Sequence, residues 1–298
     1  MTPPPGDAAS LLAPVSLAFL AVGLCCAVIV FALRGRLLNR AAVGDRARLA
    51  ALIPPVRWLA AGFSGWFVWV FAMAFTMAAL PKEPPPSLPT TALASVPAYA
   101  LGVATVVIAL WAFRSSPAVR ACRVSPMDIR DGAITTLLGI PIVLAIGVLS
   151  FLAATLLARA NGATEPSEIA HGTLSEILTL REASGLSWWL LPVVVQVVVL
   201  APLLEEVLYR GCLQSAFVSA TGRSWPSILA ASAIFALVHA SAVPWHAMPT
   251  LFAVGVVCGL AFERTGRLGP AILFHAAFNA LNLGVALASA APAPAAGG

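Results

Sequence analysis

Eight separate runs of about twenty mostly apolar residues dominate this chain, near 11–33, 58–80, 91–113, 134–157, 186–208, 225–243, 246–262 and 269–289. A helix needs roughly 20 such residues to cross about 30 Å of hydrocarbon. Inside hydrocarbon every backbone N–H and C=O must be paired within the protein, which leaves helices as the form such long runs can take. The fold class expected is therefore all-α, a polytopic membrane helix bundle of about eight transmembrane helices. Composition agrees, since 60% of the 298 residues are hydrophobic and only 10% are charged, against about a quarter charged in soluble domains.

Charge then orients the bundle. The opening MTPPPGDAAS has no Lys or Arg, so the first run lacks the basic start of a cleavable signal peptide and reads as a retained span. Arg34, Arg36, Arg40, Arg46, Arg48 and Arg57 follow it, which puts that loop in the cytoplasm and both termini outside. Alternating the remaining loops places 14 of the 17 basic residues inside. The formal charge of +5 is thus an orientation signal, and no nucleic-acid partner is expected. The partners expected are the lipid bilayer and a peptide or membrane-anchored protein substrate, and the sequence sets no oligomeric state. The alanine- and arginine-rich, lysine-poor composition points to a bacterial cytoplasmic membrane.

The chain divides into a short outer tail at 1–10, transmembrane helices and loops at 11–185, a segment at 186–289 that holds most of the membrane-depth polar groups, and a low-complexity tail at 290–298 expected to be disordered. SEILTL in the acidic outer loop suits a short surface helix, and no internal repeat suggests transporter halves. The five cysteines (Cys25, Cys26, Cys122, Cys212, Cys258) have no metal-ligand spacing and read as small hydrophobes. His171 and His246 fall on the outer side.

Polar side chains at membrane depth mark a functional site by default. Here they are Glu205, Glu206 and Arg210 on the fifth run, His239 on the sixth, and His275 with Asn279 on the eighth. Glu206 and Arg210 are i,i+4 and can form an ion pair, while Glu205, about 100° around the helix, faces elsewhere. Thr221 and Gly222 turn the fifth run into the sixth, with Ser224 as the expected N-cap and Pro226 early in the helix. Glu205 and His239 each lie 17 residues from Gly222, so two antiparallel helices bring them to one height, roughly 25 Å from the turn. His275, nine residues past the Gly266 turn, joins them only if the first hairpin projects about 10 Å further. Asn282 lies near the face of Asn279.

These residues resemble a known family. EEVLYR (Glu205–Arg210), FALVH (Phe235–His239) and HAAFN (His275–Asn279) look like the EExxxR, FxxxH and HxxxN motifs of the CPBP intramembrane proteases, which include CAAX prenyl endopeptidases and bacterial Abi-type proteins. All three stand in the family's order on successive apolar segments. The resemblance implies peptide-bond hydrolysis inside the membrane, with Glu205 as the base that activates water and His239 helping to hold it. His275 and Asn279 would form the oxyanion hole, and Glu206 with Arg210 would be a structural ion pair. No cofactor is expected. The alternative is a zinc-dependent form of the same protease, with Glu205, His239 and His275 as ligands and an open fourth position. Two further readings are a non-catalytic immunity or peptide-binding membrane protein and a proton-coupled transporter.

Overall fold

The computed structural model describes residues 7–34, 49–84, 86–121, 125–164, 166, 176–179, 188 and 190–289. Arg36, Arg40, Arg46, Arg48, Cys122, His171 and the tail from Ala290 lie outside these residues. Within them the chain forms eight helices of 15 to 34 residues and no strand. They are α1 (Asp7–Ala32), α2 (Pro55–Ala79), α3 (Leu88–Trp111), α4 (Met127–Ala160), α5 (Leu190–Thr221), α6 (Ser224–Val238), α7 (Met248–Thr265) and α8 (Gly269–Ser289).

Local chemistry sets several of these ends. Pro55 opens α2 at a position where its missing N–H costs nothing. Ahead of α4, whose N-cap is Pro126, the Ser125 N–H donates to Asp128 Oδ2 at 2.7 Å and the Met127 N–H to Ser125 Oγ at 3.3 Å, which satisfies two backbone donors at the helix start. The α5–α6 and α7–α8 hairpins both turn on Thr-Gly-Arg. Gly222 and Gly266 take left-handed backbone angles, φ 65° and 67°, which glycine adopts without a steric penalty. In each turn the threonine hydroxyl, Thr221 or Thr265, accepts the N–H of the arginine two residues on.

α5 is the hub. α2 and α3 pack on each other and on one side of α5, α6 and α8 pack on its other parts, and α7 joins α6, α8 and α4, with α1 against α4. One core cluster draws Val143, Phe235, Val254, Cys258, Phe274 and Phe278 from α4, α6, α7 and α8. In the α7–α8 turn itself, Arg267 ties the start of α8 to α4 through Asp128 (3.0 Å) and Asp131.

Six helices (α2, α3, α4, α5, the stretch Trp245–Thr265 containing α7, and α8) are long and apolar enough to cross a membrane, so the chain is a polytopic integral membrane bundle. The expected count of eight is not reproduced. The described apolar stretch Leu17–Ala32 of α1 and the 15-residue α6 are shorter. At 1.5 Å per residue α6 spans only about 22 Å, because the helix closes at His239. Ser224 is not the N-cap of α6 either. Arg223 holds that position, and the Ser224 hydroxyl instead donates to Glu263 Oε2 on α7 at 3.1 Å. The turn at 176–179 is helical as expected, yet it does not merely lie on the surface. Ile177 is fully buried against Ala92, Val193 and Leu283.

Candidate active site

α5 is not a uniform α-helix. It widens to a π-helix over Val195–Leu200, returns to α over Ala201–Glu206, and widens again over Val207–Gln214. Such bulges gather at functional sites because each extra residue turns the side chains beyond it. Glu205 and Glu206 stand at the end of the α stretch between the two bulges. The second carries Arg210 and Gln214 into the core, both fully buried. No feature of the sequence reading marks these bulges.

Glu205, His239 and His275 come together. One Glu205 carboxylate oxygen lies 4.0 Å from His239 Nε2 and the other 3.8 Å from His275 Nε2. The first hairpin therefore does project far enough for His275 to reach the other two. The Nδ1–H of His239 donates to the Phe235 carbonyl at 2.7 Å, which leaves Nε2 as the lone-pair nitrogen facing Glu205 when the ring is neutral. The side chain of Glu205 is 25% exposed, so the carboxylate reaches open space.

Glu206 forms the i,i+4 pair with Arg210, Oε2 to Nε at 3.2 Å, with both side chains wholly buried. It is not set apart from the imidazoles, however. Its Oε1 lies 2.8 Å from His275 Nδ1, so the carboxylate bridges a guanidinium and an imidazole. Arg210 also donates from NH2 to the Gly255 carbonyl at 3.1 Å and lies 4.9 Å over the Phe235 ring. The i,i+4 spacing showed the first contact, whereas the second spans 69 residues of chain.

Asn279 donates its amide N–H to the Val197 carbonyl at 2.9 Å, inside the first π stretch. One of its two N–H bonds is thereby fixed and the other is left to donate. The Asn282 amide returns to Phe278 O on its own helix at 2.8 Å, which commits it locally. His246 sits away from the group, its carbonyl accepting from Ser150 on α4 at 2.6 Å.

A cavity of about 550 Å³ opens beside Glu205 and His239, walled by Phe63, Trp66 and Trp69 of α2, Leu208 and Tyr209 of α5, and Ile234 and Val238 of α6. Several of these walls face outward, with Phe63, Trp66 and Val238 all exposed. The space is apolar apart from its Glu205–His239 end. Tyr209 was missed by sequence reasoning. Its signal was there, because Tyr209 is i+4 from Glu205 and so shares its helix face.

Zinc was tested on this geometry. Bonds of about 2.0–2.1 Å in a tetrahedron hold donor atoms about 3.3 Å apart, and the Glu205–His239 and Glu205–His275 separations of 4.0 and 3.8 Å are wider. A second buried set, Glu206, Cys258 and His275, has donor atoms within 4.8 Å of one another. There the Arg210 guanidinium already lies against Glu206, where a second cation would be repelled. Neither set, as placed, fits a tetrahedral zinc ion.

The bundle is a polytopic all-α protein that gathers Glu205, Glu206, Arg210, His239 and His275 between α5, α6 and α8. Residues 187–281, about a third of the chain, match the family model of type II CAAX prenyl endopeptidase Rce1-like proteins, so this segment is similar to that family of intramembrane proteases. It covers α5 to most of α8, and all three motifs fall within it. No curated protein and no solved structure matches the chain.

Proposed function

We propose that the chain is an intramembrane endopeptidase that cleaves a membrane-associated protein or peptide through a water activated by Glu205, without a metal. The observation that carries this reading is the convergence of a partly exposed carboxylate with two imidazole Nε2 atoms, Glu205 and His239 lining an apolar cavity and His275 buried beside them. A water at hydrogen-bond distance, about 2.8 Å from each partner, spans donor–acceptor gaps of this width with an angle near 90°.

The proposed steps follow from the hydrogen-bond directions. The water donates one hydrogen to Glu205 and the other to His239 Nε2, which leaves an oxygen lone pair for the scissile carbonyl carbon. As the C–O bond forms, Glu205 takes the proton and charge develops on the carbonyl oxygen. His275, held at Nδ1 by Glu206, donates to that oxygen from Nε2 when its ring carries both protons. The free N–H of Asn279 is the second donor. When the C–N bond breaks, Glu205 returns its proton to the departing amine. Catalysis is thus assigned to Glu205, His239, His275 and Asn279, with Glu206 and Arg210 behind them.

The cavity walls suit a lipophilic stretch of substrate that enters from the bilayer. The charge asymmetry of the loops supports a site toward the cytoplasmic side, and the alanine- and arginine-rich, lysine-poor composition supports a bacterial membrane. The test is purified protein in liposomes mixed with membrane-anchored peptide libraries, with products read by mass spectrometry. Wild-type protein yields defined cuts and Glu205→Gln yields none while keeping its thermal midpoint. Cleavage by Glu205→Gln at the wild-type rate overturns the assignment.

A further inference from the structure

Phe235 is the residue that the two motif imidazoles, the buried arginine and the cavity tyrosine have in common. Its ring centroid lies 4.8 Å from that of His239, 5.7 Å from His275 and 5.2 Å from Tyr209, the last two edge to face. The Arg210 guanidinium lies 4.9 Å over the same ring. Its carbonyl holds His239 Nδ1. The side chain is 1% exposed and is not part of the cavity wall.

We infer that Phe235 is a positioning residue: a rigid spacer that sets both imidazole Nε2 atoms against Glu205 and separates them from the Arg210 charge. The inference rests on the protease reading above and adds a residue that never meets substrate. Each imidazole is held at Nδ1 by one hydrogen bond, and a single hydrogen bond leaves the ring plane free to swing. The phenyl ring removes that freedom for both rings at once, because it stands between α5, α6 and α8 in a close-packed core. Aromatic pairs favour edge-to-face and tilted arrangements of this kind. Leucine or methionine would fill much of the volume without a flat, stiff surface. Misplacement of a catalytic group by about 1 Å costs on the order of 100-fold in rate.

The test compares wild type, Phe235→Leu, Phe235→Met and Phe235→Tyr in liposomes. Three quantities are measured: kcat and KM on a cleavable membrane peptide, the thermal midpoint, and the rate at which diethyl pyrocarbonate acylates His239 and His275, mapped by mass spectrometry. Leucine and methionine should lower kcat about 10- to 100-fold with KM within about twofold, since Phe235 does not line the cavity. They should also raise acylation of His239 severalfold, and tyrosine, which keeps the ring, should restore both. Wild-type kcat and labelling in Phe235→Leu overturn the inference. So does an equal loss in the leucine and tyrosine variants, or a loss that tracks the unfolded fraction. If wild type cleaves no peptide while the labelling contrast holds, the spacer role stands and the protease reading falls.

Discussion

Replacing Arg210 by methionine should destabilise the protein far more than replacing Arg210 and Glu206 together. In the native bundle both side chains are fully buried and 3.2 Å apart. Removing the arginine alone leaves a carboxylate in the core with only His275 and Cys258 beside it. Breaking a buried pair from one side costs about 3–5 kcal/mol, whereas exchanging both charges for groups of similar volume is often close to neutral. The lost hydrogen bond to Gly255 O, about 1 kcal/mol, and the contact over Phe235 fall inside that range. Against a total stability of about 5–15 kcal/mol, the single variant should lose on the order of a thousandfold in folding equilibrium. In Glu206→Gln/Arg210→Met the side-chain oxygen at 206 still accepts from His275 Nδ1, and the loss should shrink to about 1–2 kcal/mol. The assay is denaturant unfolding of detergent-solubilised protein followed by tryptophan fluorescence, with membrane yield as a parallel readout. A single variant costing under about 1 kcal/mol, or a double variant as unstable as the single, would refute the buried-pair argument.

Asn279→Leu should lower kcat about 10²- to 10³-fold through loss of an oxyanion donor. It should also cost about 1–3 kcal/mol because the Val197 carbonyl loses its partner, and steady-state kinetics with a melting curve would separate the two effects. Phe63→Ala, at an exposed cavity wall, should raise KM severalfold and leave kcat and the melting curve nearly unchanged, the signature of lost uniform binding. At the Arg267 tie, Asp128→Ala should destabilise more than Asp131→Ala. Asp128 is the more buried, with 4% against 27% side-chain exposure, and it also accepts the Ser125 N–H ahead of α4; equal shifts in unfolding midpoint would contradict this. Chelators should leave turnover unchanged and elemental analysis should find sub-stoichiometric zinc. Stoichiometric zinc lost together with activity would replace the proposed mechanism.

The amino-acid sequence by itself determined the membrane class and the relations set by regular spacing along a helix. Apolar run length set the all-α membrane class. The equal spacing of Glu205 and His239 from Gly222 set their common height, and the i,i+4 step set the Glu206–Arg210 pair. The turn glycines, 222 and 266, were legible because their neighbours end one periodic run and begin another.

The tertiary structure decided what depends on how helices rotate toward one another. Spacing along a helix fixes height and angle about its own axis only. It did not reveal that two π stretches turn α5 between Val195 and Gln214, or that Glu206 reaches His275 as well as Arg210. Nor did it show that Ser224 serves Glu263 instead of a cap, or that Phe235 meets both imidazoles. Those contacts come from packing several helix surfaces at once, where one extra residue in a turn redirects every side chain beyond it.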